Sequence, residues 1–398
     1  MKNKLSTFAS NLILASVSIL LVLAFAEIAA RFILEEQKSG LRPFEPYFVS
    51  GDFFLVHSEE ELIAAKGGPE SYGYRSTLAT YIYTPEEPAT VFDRSNFLFE
   101  DSLSRYDSGK VDEISRSKPE SIRIFVVGGS AAQGWGASDK EATWHAALER
   151  KLRQSLDYPD IYIFNAAIGA FISTQERIAF DMAVAPRKPD ITIVLDGFND
   201  MYLPAIFGAR PGDPYQVGRR YYQIYNSSVG KFLKNHSALV NFLFGRLAYK
   251  NLIGNSERTL SNQKEASILA EGIGNVYIAN TEYLIERGSD EAPVLVFFQP
   301  WRDWARHDMG MRTRSRYFGF FMGISERIRK SFEGNNRFID ISSALNGTDK
   351  IKYFMDSVHF ADEGHQIVAD AMFPYVQSEV KRLISKRKSS SPSPGDGK

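Results

Sequence analysis

The stretch "RIFVVGGSAAQGWGAS", residues 123 to 138, is an apolar run that stops at a glycine-rich turn. The apolar run from Ile124 to Val127 suits a strand that is covered on both faces of a sheet. Glycines directly after a strand let the backbone bend sharply and approach another group closely. The stretch therefore predicts a strand–turn–helix unit that presents Ser130 at the carboxyl end of its strand.

Similar apolar runs recur along the chain, with helical periodicity between them. The predicted strands are 122–127, 161–165, 191–195, 293–298 and 337–341. Helices are predicted over 140–156 and 262–288, and an apolar stripe from Val368 to Ile384 predicts a last helix. Strands that alternate with helices indicate an α/β domain with a parallel sheet covered on both faces.

The chain begins with a charge-free, mainly apolar stretch, residues 8–26, after Lys2 and Lys4. About 20 apolar residues span a bilayer, so the stretch is just long enough. The lysines favour a cytoplasmic N-terminus and export of the rest of the chain. We favour a retained membrane anchor, but Ala24-Phe25-Ala26 also fits the cleavage site of a removable signal peptide. A buried helix of a cytosolic protein is a third and weaker interpretation.

Composition divides the chain into segments and excludes several kinds of site. The predicted segments are 1–35 (signal anchor or signal peptide), 36–119 (polar and aromatic lead-in), 120–385 (α/β domain) and 386–398 (disordered tail). The chain has no cysteine, which excludes disulfides, thiolate metal sites and a cysteine nucleophile. A net charge of −1 gives no indication of a nucleic-acid partner. With no HExxH motif and no histidine-rich cluster, we predict neither a metal nor another cofactor.

The glycine-rich turn does not match the common phosphate-binding loops. A Walker A loop needs lysine after its second glycine, but Trp135 follows Gly134. A dinucleotide fingerprint needs a third glycine where Asp139 stands. Two interpretations of Ser130 remain open on the turn alone: a catalytic nucleophile, or a residue that caps the following helix.

An activated serine needs a base, and that base needs an orienting carboxylate. Among the six histidines we select His359, because Asp356 stands three residues before it in a turn just ahead of the last predicted helix. Hydrogen bonding to Asp356 would fix the tautomer and leave the other ring nitrogen for the serine proton. His365 falls in the first turn of that helix and is predicted to lie on the surface, whereas His145 is predicted to pack beside Trp144.

Acyl transfer also needs donors for the negative charge that develops on the carbonyl oxygen. Asn199, in "GFND", follows the third predicted strand, so its amide would reach the same sheet edge as Ser130. An Asx-turn is the alternative role for Asn199. A backbone donor is predicted after the second strand, in "NAAIGAFIS", where Gly169 permits a turn and Ala170 is the neighbouring candidate.

Together, in this order, "GGSAAQG", "NAAIGAFIS", "GFND" and "DSVH" resemble the sequence blocks of the SGNH (GDSL-type) hydrolase family, in its exported or membrane-anchored bacterial form. The resemblance implies a three-layer, flavodoxin-like sandwich with five parallel strands over 120–385. The sequence departs from the family pattern at Gly129, where aspartate is frequent. A second departure concerns register, since "STQE" (173–176) aligns the family's donor glycine with Ala170 and places Gly169 one position early.

The resemblance also implies a role for each matching residue. Ser130 would be the nucleophile, His359 the general base and Asp356 the residue that orients it. The oxyanion would be held by the Ser130 N–H, the Asn199 side chain and the N–H of Gly169, with Ala170 as the alternative.

The implied function is a serine esterase that removes a small acyl group from an oxygen ester, outside the cytoplasm and anchored to the membrane. A carbohydrate ester is the leading substrate class, because residues 201–228 are rich in Tyr, Arg and Pro and because Trp301 and Trp304 follow the fourth strand. These aromatic residues fit loop packing equally well. An O-acetyltransferase acting on an envelope or extracellular polysaccharide is the alternative, and a catalytically silent binding protein is the third hypothesis.

Overall fold

The computed structural model describes residues 2–36, 103–207, 210–213, 237, 239, 259–302, 311–346, 350–355 and 357–390. The chain divides into two compact units. The first comprises residues 1–49 and 218–254, and the second comprises 50–217 and 255–398. Most of the predicted lead-in, residues 37–102, lies outside the described residues, as does most of the predicted aromatic insert at 201–228.

In the first unit, helix α1 (Lys2–Glu36) contains the apolar stretch predicted from the sequence. Its segment Ile13–Arg31 is long and apolar enough to cross a membrane, and its apolar side chains are exposed. Near the end of this segment, the Glu27 carboxylate accepts hydrogen bonds from Ser237 Oγ at 2.8 Å and from the Leu239 N–H at 2.9 Å.

The second unit contains a five-stranded parallel sheet in the order β2-β1-β3-β4-β5. Its strands are β1 (Ile122–Gly128), β2 (Ile161–Asn165), β3 (Ile191–Asp196), β4 (Val294–Phe298) and β5 (Phe338–Asp340). Every residue of β2, β3 and β4 is buried, as expected for a sheet covered on both faces. The α/β prediction and the flavodoxin-like strand order are confirmed.

Helices cover both faces of this sheet. They are α2 (Ser108–Ser117), α3 (Ser130–Gln133), α4 (Trp144–Leu156), α5 (Ser173–Ala179), α6 (Phe198–Phe207), α7 (Gln263–Arg287), α8 (Met311–Ser331), α9 (Lys350–Tyr353) and α10 (Asp362–Ser390). A π-helical turn (Phe180–Val184) and a 3₁₀ turn (Ala185–Arg187) continue α5. Helix α4 packs on α10, whereas α7 packs on α5, α6 and α8, which gives the three layers.

The helices are held by the apolar stripes that predicted them. Along α10, four side chains spaced four residues apart are completely buried: Val368, Met372, Val376 and Val380. Helix α4 begins at Trp144, later than residue 140, because the Thr143 side chain accepts from the Ala146 N–H and caps the helix there.

The last helix corrects the predicted disordered tail. Helix α10 continues to Ser390, so residues 386–390 are helical, and residues 391–398 lie outside the described part of the chain. Arg387 Nη1 donates to the carbonyl oxygens of Glu120 and Ser121, at 2.7 and 2.9 Å. Its guanidinium also pairs with Asp190. Low sequence complexity predicted disorder here, but these tertiary contacts extend the helix.

Candidate active site

The carboxyl ends of β1, β2 and β3 bring the predicted motifs to one edge of the sheet. Ser130 follows β1, the segment 166–172 follows β2, and Asn199 follows β3. Strands β1 and β3 are neighbours although β2 lies between them in sequence, and such a reversal of strand order opens a crevice at the carboxyl edge.

Ser130 and His359 are in direct contact across 229 residues of sequence. The distance from Ser130 Oγ to His359 Nε2 is 2.6 Å, and the two residues are only 6% and 4% exposed. Gly129, rather than Ser130, is the N-cap of α3, and this cap has no side-chain hydrogen bond. The structure therefore does not support a capping role for the serine hydroxyl.

The backbone that follows His359 lies against the glycine-rich turn. An isolated antiparallel bridge between Phe354 and Phe360 closes the loop that carries the imidazole. Gly136 has φ of +100°, and a β-carbon there would lie 1.8 Å from the Phe360 carbonyl oxygen. The Trp135 ring lies against the imidazole, with 5.1 Å between ring centroids. Because residue 136 has no side chain, the Phe360 backbone can lie against the turn. This contact fixes the position of the neighbouring His359.

The predicted orienting carboxylate, Asp356, lies outside the described residues, so its role stays a prediction. Its neighbours show how the segment is anchored: the Arg302 N–H donates to the Ser357 carbonyl at 2.9 Å, and the Met355 N–H donates to the His359 carbonyl at 2.8 Å.

Asn199 lies half-buried in the first turn of α6, beside the glycine that precedes Ser130. Its Nδ2 donates to the Phe171 carbonyl at 2.9 Å, which uses one of the two amide hydrogens. A β-carbon at Gly129 would lie 2.6 Å from this Nδ2. The absence of a side chain at residue 129 thus lets the Asn199 amide approach the backbone next to Ser130.

Gly169 and Ala170 are the central residues of a turn closed by the Phe171 N–H and the Ile168 carbonyl at 3.2 Å. The left-handed conformation falls on Ala170, with φ of +65°, and not on the glycine. A β-carbon at Gly169 would lie 3.9 Å from Ser130 Cβ. Both candidate backbone donors are therefore on a turn next to Ser130.

The prediction that His365 lies on the surface is wrong. His365 is fully buried, and its Nδ1 accepts from the Trp144 N–H at 3.3 Å. Trp144 Nε1 in turn donates to the Ala131 and Ala132 carbonyls at 3.1 Å. The local sequence around His365 gives no sign of this burial, because the donor lies 221 residues away along the chain.

His145 is buried, as predicted, and belongs to a polar network that the sequence did not indicate. Asn165, at the end of β2, donates from Nδ2 to the Gln133 carbonyl at 2.9 Å and to His145 Nε2 at 3.1 Å. Burial lowers the pKa of His145 to about 3, so the ring is neutral at ordinary pH. The network ties the end of β2 to α3, which begins at Ser130.

A buried group of carboxyl side chains, Glu176, Asp196 and Asp200, was also not predicted from the sequence. Burial and the nearby Asp196 raise the pKa of Asp200 to about 7. The sequence position of two of these residues could have indicated the cluster, since Asp196 and Asp200 stand directly before and after the "GFN" that contains Asn199. Among the residues that the structure describes, no group of His, Asp or Glu side chains has an arrangement that would hold a metal ion.

Of the two tryptophans considered for sugar binding, Trp304 lies outside the described residues and Trp301 is only 9% exposed. The ring of Trp301 packs against Phe198, Phe318 and Phe321. For Trp301 the packing interpretation holds.

Comparison with known proteins places the site within a matched region. Residues 126–367 match the model of the GDSL-like Lipase/Acylhydrolase family. No curated protein matches the chain. An acetyl xylan esterase, AlAXEase, is 16% identical with a TM-score of 0.39, over 64% of this chain and 100% of the other. The acetylxylan esterase Axe2 from Geobacillus stearothermophilus is 16% identical with a TM-score of 0.36, over 64% and 94%.

Proposed function

Because the chain belongs to the GDSL-like lipase/acylhydrolase family and is therefore an ester-hydrolysing enzyme, we propose that Ser130 is its nucleophile and His359 its general base. The distance of 2.6 Å from Ser130 Oγ to His359 Nε2 carries this proposal, because it places the hydroxyl proton on a path to the imidazole. Asp356 orients the imidazole in this proposal, as its sequence position suggests.

The proposed reaction has two steps. In the first, Ser130 Oγ attacks the carbonyl carbon of the ester while its proton moves to His359 Nε2, and the imidazolium then protonates the departing alcohol. In the second, His359 takes a proton from water as the water attacks the acyl-serine, and the imidazolium then returns that proton to Ser130 Oγ as the acid leaves. Each step returns the imidazole to its neutral form.

The oxyanion that forms in both steps is held by three donors in this proposal: the Ser130 N–H, the Asn199 side chain and one N–H of the turn at Gly169 and Ala170. Asn199 supports this role because Phe171 engages one hydrogen of its amide group and fixes the direction of the other. Gly169 is our preferred backbone donor, because a β-carbon built there would lie 3.9 Å from Ser130 Cβ.

We propose a small acyl group on a carbohydrate as the substrate class. The proposed nucleophile is only 6% exposed, which favours a small acyl group. The aromatic and arginine-rich segment 201–228 supports the carbohydrate as the alcohol component.

We propose that α1 anchors the enzyme in the cell membrane, with the catalytic unit outside the cytoplasm. The exposed apolar segment Ile13–Arg31 supports the anchor, and Lys2 and Lys4 support the orientation. The segment boundaries 1–35, 36–119 and 120–385 remain part of this proposal.

The decisive experiment combines labelling with hydrolysis. A fluorophosphonate probe should label Ser130 in the wild type, as located by peptide mapping, and should not label Ser130→Ala. Hydrolysis of p-nitrophenyl acetate should be lost in Ser130→Ala and in His359→Ala to a similar extent, because the two groups act as a unit. If His365→Ala abolished hydrolysis and His359→Ala did not, the assignment of His359 as the base would be contradicted. If the rate of acetyl transfer to a glycan exceeded the rate of hydrolysis, the enzyme would be an acetyltransferase and not a hydrolase.

A further inference from the structure

Three carboxyl side chains meet in the core behind the segments that carry the proposed oxyanion donors. Glu176 lies in α5, Asp196 at the end of β3 and Asp200 in α6, and they are 0%, 3% and 5% exposed. Within the described part of the chain, none of them forms an ion pair. Three ionised carboxylates buried together without a cation would be strongly destabilising.

The hydrogen-bond donors around the three groups are distributed unequally. Asp200 accepts from the N–H and the Oγ of Ser173, at 2.9 and 2.6 Å. Asp196 Oδ1 accepts from the Tyr277 hydroxyl at 2.7 Å. By contrast, Asp196 Oδ2 and both oxygens of Glu176 face no donor group among the described residues other than a carboxyl.

The unpartnered oxygens of Glu176 and Asp196 are buried in the same cluster, and a hydrogen bond between the two carboxyl groups is the arrangement that would satisfy them. Such a bond requires one proton between the two groups, because a carboxylate can only accept. Asp196 already accepts from Tyr277, which stabilises its ionised form, whereas no other described residue donates to Glu176. The proton therefore belongs on Glu176.

Electrostatics agree with this placement. Burial, followed by the charges of Asp196 and Asp200, raises the pKa of Glu176 well above its usual range. Among the described residues, the titratable groups facing Glu176 are Asp196 from β3, Asp200 from α6 and Tyr277 from α7, and none of them is a cation.

The cluster joins the two segments that carry the proposed oxyanion donors. Asn199 binds the Phe171 carbonyl at the site, and Asp200 binds Ser173 one layer deeper. Asn280 of α7 reinforces this layer by donating to Ser173 Oγ at 3.0 Å. A hydrogen bond between Glu176 and Asp196 would add a third contact between the same two segments.

We propose that Glu176 is a positioning residue that acts as a neutral carboxylic acid: by donating a hydrogen bond to Asp196, it holds the turn of Gly169 and Ala170 at a fixed spacing from Asn199. This inference rests on the oxyanion hole of the proposed function. Loss of the proton places two adjacent carboxylates in the core, breaks the contact and loosens the hole. The enzyme accordingly loses turnover as pH rises, while substrate affinity changes little.

The test compares Glu176→Gln, Glu176→Ala and wild type in p-nitrophenyl acetate hydrolysis from pH 6 to pH 9. Glutamine keeps a donor and cannot ionise, so Glu176→Gln should retain kcat within about threefold at pH 7 and lack the alkaline decline of the wild type. Glu176→Ala should lose kcat by about tenfold or more with KM nearly unchanged. An alkaline decline in Glu176→Gln equal to that of the wild type, or full kcat in Glu176→Ala, would overturn the proposal.

Asp181→Asn is the matched control. Asp181 lies on the π-helical continuation of α5 and accepts from Tyr283 of α7 at 2.8 Å, but it is outside the carboxyl cluster. This variant removes a carboxylate that lies on the continuation of the helix carrying Glu176 and should leave the alkaline decline in place. If Asp181→Asn also lacked the alkaline decline, the decline would reflect general loosening of the helical layer. That outcome would overturn the specific role of Glu176.

A measurement without activity separates this inference from the proposed function. A folded-state pKa raised above that of the unfolded chain gives stability that is complete below the unfolded pKa and is lost as pH rises. The unfolding equilibrium constant of the wild type should therefore rise with pH more steeply than that of Glu176→Gln, by about tenfold per pH unit above the ordinary glutamate range. If the unfolding constants of the wild type and of Glu176→Gln had equal pH slopes, Glu176 would already be ionised in the folded protein. Activity retained by Ser130→Ala would instead contradict the nucleophile and leave this arm unaffected.

Discussion

Single atoms decide the chemistry proposed for Asn199. Its amide is held by the Phe171 carbonyl and lies against Gly129, so its remaining hydrogen has a fixed direction. Asn199→Ala should lower kcat by roughly 10²–10³, the loss typical of one oxyanion donor, with little change in KM. Steady-state hydrolysis of p-nitrophenyl acetate measures both constants. A kcat equal to that of the wild type would remove Asn199 from the site.

Gly136 is a second residue at which one atom matters, because an added β-carbon would overlap the Phe360 carbonyl beside His359. Gly136→Ala should displace the loop that carries His359 and lower kcat by about tenfold or more, since small misplacements of catalytic groups are costly. The matched control is Gly334→Ala, which has a similar positive φ of +80° but open space around it. Equal kcat losses in the two variants would indicate backbone strain rather than displacement of the loop.

At the scale of elements, the end of β2 is joined to α3 through neutral His145. The unfolded chain binds a proton at His145 near its ordinary pKa, whereas the folded protein does so only near pH 3. Stability is therefore complete above the ordinary histidine pKa and is lost as pH falls from there toward 3. The unfolding free energy of the wild type should fall as the pH is lowered from 6 to 4. In His145→Gln this fall should be smaller by about 1.4 kcal/mol per pH unit. Denaturant unfolding at several pH values measures the slope, and parallel curves would contradict a neutral buried imidazole.

At the scale of the whole molecule, α1 and the catalytic sheet lie in different compact units. If α1 is an anchor, the full chain should sediment with membranes, and a variant lacking residues 1–35 should be soluble and retain hydrolysis. Leu20→Arg, which places a charge in the middle of the apolar segment, should weaken membrane association, whereas Ser18→Ala should not. N-terminal sequencing provides the opposing outcome, since a mature chain that begins after Ala26 would establish a removed signal peptide.

The sequence by itself determined the α/β class, the parallel sheet and the family. Apolar runs mark strands covered on both faces, and the order of the four motifs is read directly from the chain. The carboxyl ends of neighbouring parallel strands share one edge, so the convergence of Ser130 and Asn199 was also predictable.

Only the tertiary structure decided which polar groups are buried together. His365 was predicted to be exposed, residues 386–390 were predicted to be disordered, and the Glu176–Asp196 contact was not foreseen. In each case the partner is distant in sequence or lies on another element, and local periodicity carries no information about it. The protonation of a carboxyl group depends on burial and on neighbouring charges, and both arise only when the layers pack.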